Sequence, residues 1–260
     1  MKRYIIALDL HGTLLDLNWK ISRGHQSELV SLLKEISHIA DIYVCTGNDH
    51  TFVEKYVPAD ILKCVDGCVL ETGCMIYKTS QKNFLTNDNT ISKVSSLHEF
   101  FKAKKYPFVK YFANREASIS MFTCDESGGE EPVKYYETVR NDLQNHEYSD
   151  LFYVTWSNVA IDIIPIDISK WNALKHISED RCIISFMDSF NDKEIALNSD
   201  YSFLPKNASV ELINYLRSNT KLVFPLSKFH FLRDYAYVTE SSYTKSIIEG
   251  LSTFKKSEHQ

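Results

Sequence analysis

The feature that most constrains this chain is a strand–helix–strand pattern in its first 45 residues. Tyr4-Ile5-Ile6-Ala7-Leu8 is a short β-branched and aromatic run, too short for a helix and suited to a buried strand. Ser22 to Ala40 then carries Leu29, Leu32, Leu33 and Ile36 at amphipathic-helix spacing, with Ser22 or Ser27 as candidate caps. Asp41-Ile42-Tyr43-Val44-Cys45 reads as a second buried strand. Such a unit implies a parallel sheet with a right-handed crossover. Both strands therefore end on one sheet edge, which makes Asp9-Leu10-His11-Gly12-Thr13 and Thr46-Gly47 neighbours. Open α/β sheets place their ligands at that edge. Gly12 lets the chain turn sharply there. An Asp so placed can be a nucleophile, a metal ligand or a helix cap, and the local sequence does not choose.

Further along, Thr51 to Tyr56 reads as a short helix stopped by Pro58, and Ile61 to Tyr77 as strand-like pieces with turns at Asp66-Gly67 and Thr72-Gly73. From Thr79 the texture changes. Polar residues crowd Thr79 to Ser96, a helix runs through Ser96 to Lys102, and strands are expected over Phe108 to Ala113 and Ala117 to Thr123. A loop at Asp125 to Glu131, a helix over Val133 to Asn145, and strands at Phe152 to Trp156 and Val159 to Ile164 complete a small α+β module. Strand–helix alternation resumes with a helix opening at Ser169-Lys170 and a strand over Cys182 to Met187 that ends at Asp188-Ser189-Phe190-Asn191-Asp192. A helix over Ser209 to Leu216, a strand over Tyr235 to Thr239 and a helix over Tyr243 to Phe254 follow, with Lys255 to Gln260 expected to fray. The expected fold is α/β, a Rossmann-like parallel-sheet core formed by 1–78 and 166–260, with 79–165 inserted as an α+β cap.

A net charge of −5 argues against a general nucleic-acid binder. The first apolar run is broken at Asp9, too early for a signal peptide, and no run approaches the roughly 18 residues of a membrane span, so cytoplasmic residence without a membrane partner is expected. Among the six cysteines, Cys64, Cys68 and Cys74 lie close together without a paired Cys-x-x-Cys or a nearby His. They read as buried free thiols rather than a zinc site.

Four separated elements thus converge on one edge: Asp9, Thr46, Lys170, and Asp188 with Asp192. Carboxylates suit a hard cation such as Mg²⁺. A lysine and a threonine hydroxyl suit a phosphate. Alone, Asp188 to Asp192 could equally cap the following helix. Order and spacing together resemble the haloacid dehalogenase superfamily, whose four motifs are similar to Asp9-Leu10-His11-Gly12-Thr13, Thr46-Gly47, Lys170 and Asp188-Ser189-Phe190-Asn191-Asp192. Asp162-Ile163-Ile164-Pro165 followed by Lys170 resembles the cap exit of the phosphomannomutase, sucrose-phosphatase and Cof-type sugar-phosphatase group. Tyr237-Val238-Thr239 resembles the closing strand of Cof-type members.

The resemblance implies a phosphatase of small phosphorylated metabolites, sugar phosphates foremost, that works through an aspartyl-phosphate on Asp9. It implies Mg²⁺ held by Asp9, the His11 backbone carbonyl, Asp188 and Asp192. Thr46, Gly47 and Lys170 would bind the phosphoryl group, while Asn191 and Asp192 orient Lys170 and the metal's water shell. Lys110, Asn114, Arg115 and Ser120 are the candidate cap contacts to substrate. Two departures stand out. His11 occupies the position of the usual acid/base Asp, and an imidazole could serve as acid and then base, or could leave a site that only binds. Asn48 stands where many Cof-type relatives carry Arg. A phosphomutase is the enzymatic alternative, although Met121-Phe122-Thr123-Cys124 lacks the arginine-rich signature of the mannose-phosphate relatives. A phospho-ligand or protein-binding homologue without turnover is the other.

Overall fold

A computed structural model describes residues 2–21, 23–125 and 127–258. In chain order the strands are β1 (Tyr4–Leu8), β2 (Ala40–Cys45), β3 (Gly67–Leu70), β4 (Met75–Lys78), β5 (Gln81–Phe84), β6 (Tyr111–Phe112), β7 (Ile119–Phe122), β8 (Cys124–Asp125), β9 (Gly128–Gly129), β10 (Phe152–Trp156), β11 (Ala160–Pro165), β12 (Cys182–Phe186), β13 (Tyr201–Leu204), β14 (Leu222–Pro225) and β15 (Tyr235–Val238). The helices are α1 (Arg23–Ile36), α2 (His50–Tyr56), α3 (Ala59–Leu62), α4 (Asp88–Ala103), α5 (Tyr136–Gln144), α6 (Lys170–Ser178), α7 (Lys193–Asn198), α8 (Val210–Ser218) and α9 (Tyr243–Glu258).

The large sheet has the order β14-β15-β13-β12-β1-β2-β3-β4-β5. It is parallel from β14 through β3, and β4 and β5 are antiparallel to their neighbours. β1 is central. Ile5, Ile6, Ala7 and Leu8 are wholly buried because helices cover both faces, which explains the unbroken apolar run. Ile6 and Leu8 pack with α1 and α9, while Ile5 and Ala7 pack with residues of α6, α7 and α8. The register sets Leu8 opposite both Val44 and Phe186, so β1, β2 and β12 end at one level.

The second sheet, β10-β11-β7-β6, is antiparallel. Period-two alternation divides it. Ile119, Met121, Ile161 and Ile163 pack on Val94, Leu97 and Phe101 of α4 and on Val139 and Leu143 of α5. Ser120 and Asp162 lie directly opposite each other in the ladder and take the other face. Dry side chains meet the helices, and polar ones take the face toward the large sheet's carboxyl edge.

Several elements differ from expectation. β5 carries the large sheet to Phe84, beyond residue 79, where the texture changes. Ile61 and Leu62, expected to open the strand-like stretch, belong to the helical turn Ala59–Leu62. α4 starts at Asp88, where Asn87 caps it by accepting from Thr90 N, so a polar sequence conceals two extra turns. Only Tyr111–Phe112 of the expected 108–113 strand is regular. β13 and β14 were not anticipated. Lys255 to Glu258 continue α9, tied by Lys255 to Glu35 and by Glu258 to Arg3. Ser22, a candidate cap, lies outside the described residues. All six cysteines are free; Cys45, Cys68 and Cys74 are buried, and Cys64, Cys124 and Cys182 are half-buried. Among the described residues, no helix is long and apolar enough to cross a membrane.

A buried carboxylate is one of the contacts that link the two sheets. Glu71, wholly buried just after β3, accepts hydrogen bonds from Glu116 N at 2.9 Å, Ala117 N at 2.8 Å and Ser118 Oγ at 3.1 Å. Burial pushes its carboxyl up, and those backbone donors pull it back. Glu71 and Thr72 both hold left-handed backbone, φ 48° and 57°. Hydrogen bonds from Glu71 N to Asn48 O and from Thr72 N to Thr46 O join this turn to the loop after β2.

Candidate active site

The loop after β1 closes on itself through Leu14 N to Asp9 O, Leu15 N to Leu10 O and Gly12 N to Leu15 O. Gly12 has φ +79°, and a Cβ there would lie 2.0 Å from Asp188 Oδ2, so no other residue fits without displacing that carboxylate. Asn207 Nδ2 donates to Gly12 O at 2.7 Å and pins the loop from the far side.

Asp9, Asp188 and Asp192 are all buried and present carboxylate oxygens within 4.8 Å of one another. Lys170, 1% exposed, is placed by α6, whose N-cap Ser169 accepts from Asn172 N. Its Nζ donates to Asp9 Oδ1 at 2.7 Å and to Asp192 Oδ1 at 2.6 Å. Burial lowers the Lys170 pKa, but Asp192 and Asp9 outweigh it and hold the ammonium charged. One ammonium cannot balance three carboxylates. Burial pushes Asp9 up to about 7 against the pull of Lys170, and burial together with Asp9 and Asp192 pushes Asp188 well above the carboxylate range. Further donors to the cluster are neutral, among them Thr13 Oγ1 to Asp188 Oδ1 at 3.2 Å and Asn158 Nδ2 to Asp188 Oδ2 at 2.6 Å. Such an all-oxygen, excess-negative cluster fits a hard divalent cation.

Thr46, 1% exposed, is positioned by the end of β2. Its Oγ1 accepts from Asn48 N at 3.1 Å and from Asn48 Nδ2 at 3.0 Å, which leaves its own proton to donate. Asn48 Oδ1 accepts in turn from Arg115 Nη2 at 2.8 Å. Asn48 brings no charge, and a guanidinium from the second sheet's side arrives beside it. Arg115 is further held by Asp49 at 3.7 Å and by the Asn114 carbonyl at 2.9 Å, while its buried Nε has no partner. A Cβ on Gly47 would press on Thr72 Oγ1 at 3.2 Å. Asp9, His11, Thr46, Gly47, Arg115, Ser120, Asp162, Ser189 and Asn191 line one small cavity.

The His11 ring packs against Trp19 at 5.3 Å and Phe52 at 5.0 Å, with Phe122 at 6.4 Å between centroids. Its Nε2 is buried without a partner. Burial, then the charges of Lys170 and Arg115, lower its pKa to about 3, so the imidazole is neutral at physiological pH.

Two of the candidate residues are engaged elsewhere. Asn191 lines the cavity, and its Oδ1 accepts from Ser189 Oγ, which also lies 3.1 Å from Asp192 Oδ2. Lys110 does not reach this cavity, because its ammonium is engaged by Asp125 Oδ1 at 2.8 Å and by Ser127 Oγ at 3.2 Å. Ser120 donates to Asp162 and lines the cavity, whereas Asn114 lines a larger one beside it. Asn158, Asn207 and Glu71 went unnoticed in the sequence, where each is an isolated polar residue whose partner lies far along the chain.

The model of the haloacid dehalogenase-like hydrolase family matches residues 6–131 and 129–222. The chain belongs to that family. No curated protein sequence matches it. Among solved structures, sucrose-phosphatase from Synechocystis sp. PCC6803, in complex with sucrose and phosphate, is similar with TM-score 0.72 and 16% identity over 98% of this chain and 99% of that one. A protein of Thermoplasma acidophilum gives 0.67 and 18% over 98% and 99%. A haloacid dehalogenase-like hydrolase from B. subtilis gives 0.65 and 13% over 97% and 99%. At these identities the likeness is one of fold.

Proposed function

We propose that this haloacid dehalogenase-like hydrolase is a divalent-cation-dependent phosphatase of small phosphorylated metabolites, using Asp9 as nucleophile. The reading rests on one observation: Asp9 lies in a buried cluster with Lys170, Asp188 and Asp192 and lines the same cavity as Thr46 and Arg115. The Asp9 carboxylate forms a bond to phosphorus as the ester P–O bond breaks, and the leaving oxygen takes its proton from protonated His11. Water then attacks the phosphorus of the aspartyl-phosphate and gives a proton back to His11, the bond to Asp9 breaks, and inorganic phosphate leaves. Thr46 donates its hydroxyl proton to the phosphoryl group, and Lys170 and Arg115 supply charge to it. Asp9, the His11 carbonyl, Asp188 and Asp192 would hold Mg²⁺, which supplies charge neutralisation when bound. The four-stranded sheet with α4 and α5 is the cap in this reading.

The direct test is phosphate release from a panel of phosphomonoesters with and without Mg²⁺. Metal-dependent release is expected, and no release from any ester overturns the reading.

His11 is the proposed proton carrier: it lines the cavity that holds Asp9, its buried Nε2 has no partner, and a phosphoryl dianion bound beside it would raise its depressed pKa so that it can take up and give back a proton. Replacement by Ala is expected to lower kcat on the order of 10²–10⁴-fold. His11→Asp should retain or raise it. Activity appearing in His11→Asp and absent from the natural protein would establish a homologue that binds without turnover.

A further inference from the structure

Beside the catalytic cavity lies a second one of about 600 Å³, within the roughly 300–1,000 Å³ range of small-molecule sites and more than a single hexose fills. Its walls are aromatic. On one side Trp19, Phe52 and Tyr56 form a mutually packed cluster, with centroid separations of 5.3 Å, 5.1 Å and 4.4 Å. On the other, Tyr111 and Phe122 stack at 4.7 Å with their planes 11° apart. Asn48, Arg115 and Phe122 line both cavities, so the two share a boundary. His11 touches Trp19 and Phe52 from the catalytic side.

The polar groups along these walls are largely engaged within the protein. Asp49 caps α2 through Phe52 N, and Asp125 takes Lys110 and Ser127. Asn48 is held between Thr46 and Arg115. What the chamber presents is mainly ring surface, with Thr51, Lys55 and Asn114 also on its lining and the unpartnered Nε of Arg115 buried in its wall. A polyhydroxylated sugar would lose its water there without regaining equivalent hydrogen bonds. A flat ring would gain offset and edge-on contacts with both walls.

We propose that this chamber holds the leaving group, and that the leaving group carries a planar heteroaromatic ring, as in a nucleoside monophosphate, rather than being a bare sugar. The proposal rests on the phosphatase reading for its chemistry, but the chamber's preference is measurable without turnover. The first arm compares kcat/KM for adenosine 5′-monophosphate with that for glucose 6-phosphate in Mg²⁺. A preference of about tenfold or more for the ring-bearing ester is expected, and it should shrink at least severalfold in Trp19→Leu and in Tyr111→Leu. Equal rates, or a preference for glucose 6-phosphate, overturn the proposal. The second arm measures calorimetric binding of adenosine and of glucose, neither carrying phosphate, to the natural protein. Adenosine binding with none for glucose supports the chamber even if no ester is hydrolysed, in which case only the phosphatase reading fails. Equal binding of the two, or none of adenosine, overturns it whatever the hydrolysis result.

Discussion

Asp9→Asn is expected to remove phosphate release by a factor on the order of 10⁴ or more while leaving the fold intact. The amide keeps the shape and the buried volume of the side chain. It cannot form an aspartyl-phosphate, so every route through that intermediate closes. The same change should not destabilise the protein in metal-free buffer. Lys170 keeps Asp192 at 2.6 Å, and one of three mutually repelling carboxylates is neutralised. A melting temperature equal to or above that of the parent, with turnover gone, is the expected pair of results. Stabilisation by added Mg²⁺ should shrink in the same variant, since a ligand that binds the native state alone raises stability with the logarithm of its concentration over Kd. A variant that still turns over would place the nucleophile elsewhere.

Lys170→Met is expected to act oppositely, costing stability as well as activity. The ammonium is the only cation bonded to Asp9 and Asp192 among the described residues, and removing one partner of a buried ion cluster typically costs about 3–5 kcal/mol. The cost should depend on pH, and its sign follows from the carboxyls. Asp9 already sits near 7 with the lysine present, against about 3.9 in an unfolded chain, and loses its main attraction without it. A carboxyl whose folded pKa is raised binds more protons folded than unfolded, so stability falls as pH climbs through that interval. The deficit relative to the parent should therefore be larger at pH 8 than at pH 5. Added Mg²⁺ should reduce it. Chemical denaturation at the two pH values measures this, and a deficit independent of both pH and metal would mean that Lys170 acts by packing alone.

How much of this was legible beforehand depended on how local the signal was. Asp9, Thr46, Lys170 and Asp188 could be placed on one edge because each follows a short apolar run or opens a helix, and parallel topology brings such ends together. The three-strand register of β1, β2 and β12 bears out that geometry. β13 and β14 escaped notice because four residues cannot display a period, and β14 is largely exposed and ends in a proline. The half of the site next to the second sheet was harder to read. That Arg115 reaches Asn48, that Asn158 reaches Asp188, and that Lys110 turns away to Asp125 are consequences of how two sheets meet. No spacing along the chain encodes them. The aromatic chamber is similar: Trp19, Phe52 and Phe122 are unremarkable singly and become a wall only when folded.

Glu71 gives the meeting of the two sheets a mechanical character. Three donors from residues 116–118 end on one carboxylate that belongs to the large sheet. Any swing of the smaller sheet that preserves those bonds has its fulcrum there. Displacement grows with distance from a fulcrum, so Arg115, one residue away, would travel least. Tyr111, in the edge strand β6, would travel farther. The cation beside Asn48 would then stay near its post throughout such a swing, while the aromatic wall opens and shuts like the free edge of a door.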